Sequence, residues 1–346
     1  MKEELTPDQS DALALFTSWL EKCNPGIPFL LSGYAGSGKT FLSMRFLKLV
    51  EKKNICWTVA APTHKAVGVL NQSLTKERLK PTWYPSTIHR LLRLKIKRKQ
   101  DLEVCEETDQ TKKSLEQLGL VLIDESSMID SILLNIILQC AFSYKTRLVF
   151  VGDTAQLPPI GEKLSSVFSM KQVVRFELSQ VVRHQGPVLK LASCIRDGSI
   201  PCVSPPYIKE IKSDIGSVGC LSSADWLRKA KDALKMAAID SSPDSARILC
   251  YTNRSIEKLV PHARRAIHGE MADQLPVLPG EVLISRTAVM APASNDGVTV
   301  GIEQDMLLGS NRELVVSDVI PERCNLADFG IEDNWDGEVP IIDTLV

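Results

Sequence analysis

No apolar run among the 346 residues approaches the roughly 18 consecutive residues of a membrane-spanning helix. The opening MKEELTPDQS also lacks the apolar core of a secretory signal, so the expected compartment is the cytoplasm. The nine cysteines include no C-x-x-C pair and stand in no ligand-like spacing with the five histidines, which argues against a zinc site or a disulfide framework. No repeat at a solenoid period is present. Nor is there an excess of charge, since the net value is -1. That balance conceals an asymmetry: residues 1–100 hold about 17 Lys and Arg against about 7 Asp and Glu, whereas residues 270–346 hold about 3 against about 15. A basic working face remains open to such a chain. With 44% hydrophobic and 24% charged residues, the composition is that of a globular protein long enough for two domains.

What is present alternates. TPDQSDALALFTSWLEK has Thr6 as N-cap, Pro7 at the first helical position and apolar residues at helical spacing, which predicts an amphipathic helix. IPFLLS is a short apolar run ending in a glycine-rich loop, and TFLSMRFLKLVEKK follows with helical period. ICWTVAAP, GLVLIDE and TRLVFVGD read as further buried strands, with HKAVGVLNQSL and SILLNIILQCAF as the helices between them. Strands alternating with helices predict an α/β fold with a parallel sheet covered on both faces. A basic, alternating run and an acidic return over about residues 91–116, with a turn near Gln100 and Asp101, predict an inserted β-hairpin. From about residue 172 a second body is expected, with strands RFELS and ARILCYT and helices PVLKLASCIRDG, SADWLRKAKDALKMAA and SIEKLVPHARRAIHG. Short strands and turns follow Pro276, and the tail is acidic.

Residues 33–40, GYAGSGKT, satisfy G-x-x-x-x-G-K-[ST] between a predicted strand and a predicted helix. In that pattern Gly33, Gly36 and Gly38 let backbone N–H groups, including that of Ser37, wrap a triphosphate. Lys39 neutralises its terminal oxygens and the Thr40 hydroxyl ligates Mg²⁺. The apolar strand ending in Asp124 and Glu125 supplies an acid to hold Mg²⁺ and a second to orient or deprotonate water, a pairing suited to hydrolysis of ATP.

Three more stretches, VAAPTHKA (59–66), VFVGDTAQLPPI (149–160) and ELSQVVRHQ (177–185), occur with these two in an order and spacing that closely resemble superfamily 1 DNA helicases of the RecD/Dda type. The resemblance runs from about residue 5 to about residue 270. It implies a RecA-like P-loop NTPase sheet over residues 1–171, a partial second RecA-like domain over 172–272, and a β-rich accessory segment with an acidic tail over 273–346. It implies that Gln9 reads the adenine edge. Pro62, Thr63, His64 and Lys65, with Thr87 and His89 in STIHRLL, are implied to contact single-stranded DNA. Asp153 and Gln156 would join the terminal phosphate to the DNA site, Arg183 would reach the transferring phosphoryl group from the second domain, and Asn253 lies in the family's Thr-Asn stretch. The implied activity is ATP-dependent translocation and duplex unwinding, 5′ to 3′, on single-stranded DNA and duplex junctions.

Plainer readings stand beside these roles. His64 and His89 suit a helix cap or a packed ring, Arg183 a surface ion pair, and Gln156 a polar turn. Trp83 and Tyr84 could stack bases or pack in a core, and KIKRKQ could be a duplex-splitting wedge or a solvated strand. The family's Thr-x-His-Lys-x-Gln-Gly and Tyr-Val-x-x-[Thr/Ser]-Arg segments do not occur in the 346 residues. That suggests an incomplete or split helicase, a catalytic fragment whose remaining motifs are missing or on a partner chain, or a shortened relative acting as an ATP-gated strand-binding module. A PhoH-like RNA-associated ATPase is the alternative enzyme.

Overall fold

The computed structural model describes residues 5–99, 102–179, 186–196, 198–199, 211–240, 242, 245–285, 289–290, 306–308, 313–325 and 338–345. The chain divides into two compact units, the first formed by residues 1–202 with 212–217, the second by 203–211 with 218–346.

The first unit is built on one sheet. Its strands are β1 (Phe29–Gly33), β2 (Trp57–Ala61), β3 (Ser86–Thr87), β6 (Leu120–Ile123), β7 (Arg147–Gly152) and β8 (Val174–Leu178), in the spatial order β3-β2-β6-β7-β1-β8. Every pairing is parallel. Helices α1 (Pro7–Lys22), α2 (Lys39–Lys52), α3 (His64–Glu77), α4 (Ile88–Leu91) and α5 (Ser131–Tyr144) lie between or before the strands, and α6 (Pro187–Arg196) follows them. A two-residue side-chain alternation sorts each strand between two cores. Phe29, Leu31, Val59, Leu120, Leu122, Val149 and Val151 pack beneath α1, α2 and α3. Leu30, Ala60, Val121, Ile123, Leu148 and Phe150 pack on the opposite face, against α4 and α5. Both faces are covered, as the βα alternation predicts.

Phe16, Trp19, Phe29 and Phe46 in the first core touch one another through their rings. Phe16 and Phe46 stack at 4.0 Å, and Phe29 meets Phe46 edge-on at 5.7 Å. These contacts fix α1 against α2, and truncating Phe16 to Ala would cost about 3–5 kcal/mol. Helix α1 starts where expected: the Gln9 N–H donates to Thr6 Oγ1 at 3.3 Å while the Thr6 N–H donates to Gln9 Oε1 at 3.1 Å.

Val174–Leu178, read from the sequence as the opening of a second body, is the outer strand of this sheet and pairs with β1 from Phe29↔Val174 to Gly33↔Leu178. Leu178 is buried in the first core, which ties the strand there. The inserted hairpin forms from β4 (Lys95–Lys99) and β5 (Leu102–Glu106), antiparallel with Lys97 opposite Val104. Its expected turn at Gln100 and Asp101 lies outside the described residues.

Beyond α6 a short antiparallel pair, β9 (Ile211–Ser213) and β10 (Gly216–Val218), precedes α7 (Ser223–Ile239), α8 (Asn253–His268) and α9 (Met271–Gln274). Then come the antiparallel pairs of β11 (Val282–Ile284) with β14 (Glu313–Val315), β12 (Val289–Met290) with β13 (Met306–Leu308), and β15 (Asp318–Asn325) with β16 (Glu338–Leu345). The strand expected at ARILCYT is absent: residues 245–252 carry no ladder, and Leu249 and Tyr251 are 91% and 102% exposed. β-Branched and aromatic residues favour a strand only where a neighbouring strand receives them. Among the described residues, no helix is long and apolar enough to cross a membrane.

Candidate functional site

The strand order decides which loops meet. In a parallel sheet, loops at the carboxyl ends of adjacent strands share one edge. Here β6, β7 and β1 are adjacent, so Asp124–Glu125, Asp153–Gln156 and the glycine loop converge.

The loop leaves β1 at Gly33 and turns through Gly36 and Gly38, whose φ values of 79° and 87° are left-handed. Helix α2 then begins at Lys39, so its free N–H groups open towards the loop. Close packing also demands glycine at the first position, where a Cβ would stand 2.8 Å from Leu178 Cβ. Lys39 Nζ donates to the carbonyl oxygens of Gly33 and Tyr34 at 2.8 and 3.0 Å, folded back on its own loop. Burial pushes the Lys39 pKa down, opposed by the charges of Asp153, Asp124 and Glu125.

Asp124 follows β6, and its N–H continues the ladder to Ala60 O at 2.9 Å. Burial pushes its pKa up to about 6, against the Glu125 N–H that donates to Asp124 Oδ1 at 2.8 Å. Glu125 sits at φ 52°, ψ 40°, a left-handed conformation that a non-glycine residue holds only when its surroundings enforce it. Its pKa too is raised by burial.

Asp153, after β7, is 2% exposed. Its Oδ1 accepts from the Ala155 N–H at 3.0 Å, and the Gln156 N–H donates to Asp153 O at 3.2 Å, closing a tight turn. Gln156 Oε1 and Ser37 Oγ are buried and have no hydrogen-bond partner among the described residues. The Ser37 hydroxyl, orphaned within the glycine cradle beside Lys39, can donate to a polyoxygen ligand, and Gln156 Oε1 can accept from a water.

One cation was not foreseen. Arg196, at the end of α6, pairs with both oxygens of Asp153, Nη2 to Oδ1 at 2.9 Å and Nη1 to Oδ2 at 3.3 Å, and its guanidinium lies 3.7 Å from the centre of the Tyr34 ring. The sequence holds no motif around Arg196 that would reveal a partner 43 positions away. Gln9 also gains a contact: its Nε2 donates to Ser37 O at 3.3 Å, so the amide matched to adenine reading braces the loop here.

The strand-contact candidates share the same sheet edge farther along. The register Ala60↔Ser86 and Ala61↔Thr87 sets the exits of β2 and β3 side by side, bringing Pro62–Lys65 next to Thr87–His89. Thr63 Oγ1 caps α3 through the Ala66 N–H at 3.2 Å, and Thr87 Oγ1 caps α4 through the Arg90 N–H at 3.3 Å. His64 and His89 are half-buried and Lys65 is exposed. Trp83 packs against the second core, whereas Tyr84 is 81% exposed. Asn253 opens α8 in the second unit, exposed behind its N-cap Thr252. Arg183 lies outside the described residues.

The AAA domain family model matches residues 21–162, the segment that carries the glycine loop and the ends of β6 and β7. The chain is 24% identical over 306 residues to the ATP-dependent DNA helicase dda of Enterobacteria phage T4, covering 86% of this chain and 64% of that protein. It is 33% identical over 151 residues to the RecBCD enzyme subunit RecD of Buchnera aphidicola subsp. Schizaphis graminum, covering 40% of this chain and 23% of RecD. It therefore spans less than two thirds of either relative. Among solved structures, one of two coordinating Pif1 helicases at forked double-stranded DNA aligns with 100% of this chain and 72% of that one, at 19% identity and a TM-score of 0.47.

Proposed function

We propose that the chain is a superfamily 1 protein of the RecD/Dda type that hydrolyses ATP to move along single-stranded DNA and open duplex junctions, with 5′-to-3′ polarity. The observation that carries the proposal is the meeting of Lys39, Asp124, Glu125, Asp153 and Gln156 at the ends of three adjacent strands, with two buried polar atoms left unpartnered beside them.

In this reading, Lys39 exchanges the carbonyl oxygens of Gly33 and Tyr34 for phosphate oxygens, while the glycine-loop N–H groups wrap the triphosphate. Thr40 and Asp124 would hold Mg²⁺, which takes one or two protein ligands and keeps water for the rest, and which supplies charge neutralisation at the phosphates. Glu125 orients and deprotonates the attacking water, a role that its burial-raised pKa suits. Gln156 Oε1, buried and without a partner among the described residues, would accept a hydrogen bond from that water. Arg183 would complete the charge sensing at the terminal phosphate.

Pro62, Thr63, His64, Lys65, Thr87, His89 and Asn253 would hold the strand by its phosphates and sugars, which positions DNA without reading its sequence. Because β2 carries one group of these residues and its neighbour β6 carries Asp124, the strand site and the hydrolytic site are one strand apart. Relatives named as DNA helicases do not favour the RNA-associated ATPase or the non-stepping module. Measuring ATP hydrolysis at low salt with and without single-stranded DNA tests the proposal. Stimulation by DNA, abolished in Lys39→Ala, is expected, and equal turnover in both conditions would overturn it.

A further inference from the structure

Three carboxylates, Asp124, Glu125 and Asp153, act on the Lys39 charge at the glycine loop. Any triphosphate entering there meets this negative charge beside Lys39. Asp124 and Glu125 have assigned work, one holding Mg²⁺ and one handling water. Asp153 is 2% exposed and forms its ion pair with Arg196.

The pairing is built rather than incidental. The guanidinium meets both carboxylate oxygens, is itself only 20% exposed, and rests on the Tyr34 ring within the glycine loop. Two-point pairing plus stacking is a geometry that arginine provides and lysine does not. A buried carboxylate stripped of its partner keeps its charge in a poorly screened site and repels a neighbouring anion.

We infer that Arg196 is a positioning residue for the nucleotide site: it neutralises Asp153 beside the glycine loop so that the terminal phosphate of a nucleoside triphosphate is admitted. This rests on the glycine loop being the nucleotide site, as proposed above. The role is selective, because a third phosphate brings the added negative charge closest to the ends of β6 and β7, whereas a diphosphate stops short of it. Arg196 acts through Asp153 and is not itself assigned as a phosphate ligand.

The two roles differ in a measurable way. Binding of a fluorescent ATP analogue and of its ADP counterpart, each with Mg²⁺, is titrated on the full chain, on Arg196→Ala, on the bulkier neutral Arg196→Gln, and on each combined with Asp153→Asn. Both single arginine variants are expected to weaken ATP-analogue binding about tenfold and ADP-analogue binding less than about threefold. Adding Asp153→Asn should restore the ATP analogue to within about threefold of Asp153→Asn alone. If the double variants stay as weak as the single ones, Arg196 touches the phosphate directly and the inference falls. Equal loss of both nucleotides would overturn it as well, since it would mark a general collapse of the loop. The Lys39→Ala control separates this result from the parent proposal: if the unmodified chain binds neither analogue, or binds them independently of Lys39, the nucleotide site itself is refuted.

Discussion

Gln9 Nε2 donates to the carbonyl oxygen of Ser37 at 3.3 Å, across 28 positions of the chain, while Gln9 Oε1 accepts from the Thr6 N–H at 3.1 Å. One buried side chain thus closes the capping box of α1 and braces the glycine loop. Replacing Gln9 with Ala leaves the Thr6 N–H and the Ser37 carbonyl short of a partner, at a cost of about 1–3 kcal/mol. Thermal unfolding of Gln9→Ala should therefore begin several degrees lower without nucleotide. An unchanged midpoint would show that the brace carries no energy.

The same contact makes Gly38→Ala a sharper probe than most glycine substitutions. A Cβ at Gly38 would stand 2.5 Å from Gln9 Nε2, and φ of 87° is unfavourable for alanine. Strain of about 1–3 kcal/mol is expected. Combining Gly38→Ala with Gln9→Ala removes the clash but not the backbone cost, so the two effects should be less than additive in denaturant unfolding. Strict additivity would mean that the loop relaxes away from α1.

Lys39 and Lys65 divide two tasks along one sheet edge. Lys39→Ala should abolish ATP hydrolysis, because the terminal phosphate loses its cation. Lys65→Ala should weaken single-stranded DNA binding and reduce the slope of log K against log salt by about one, with basal hydrolysis largely intact. Paired ATPase and salt-titrated DNA-binding assays on both variants check the division. Equal loss of both activities in both variants would contradict it.

Much of this edge was readable in the residues. Glycines, lysine and threonine at fixed offsets, and acids at the end of an apolar strand, are local patterns whose chemistry follows from their neighbours. The two-faced core was equally readable, since the FLL of FLLSG and LVLI are short unbroken apolar runs, the mark of strands buried on both faces. What escaped depends on partners distant in sequence. RFELS belongs to the first sheet because its register with β1 buries Leu178, and nothing within those five residues says so. ARILCYT has strand-like residues but pairs with no described strand. Arg196 reads as an ordinary basic residue at a helix end, and only the placement of α6 against Asp153 and Tyr34 gives it meaning.

Asp124 links the chemistry of the site to its stability. Its pKa rises from 3.8 to about 6, chiefly through burial, so the folded chain resists its ionisation. A carboxyl group with a raised folded pKa costs nothing below the unfolded value, where it is protonated in both states. The cost grows as pH climbs from about 4 to about 6 and is complete above that, reaching on the order of 3 kcal/mol. Asp124→Asn cannot ionise, yet its carbonyl oxygen can still accept the Glu125 N–H. In chelator and without nucleotide, Asp124→Asn should therefore melt several degrees above the unmodified chain at pH 8 and level with it at pH 4, while its hydrolysis is lost. A gap independent of pH would assign the difference to packing rather than to the buried charge. The lost activity beside the gained stability would show that the fold tolerates an unfavourable carboxylate at Asp124 because hydrolysis requires it.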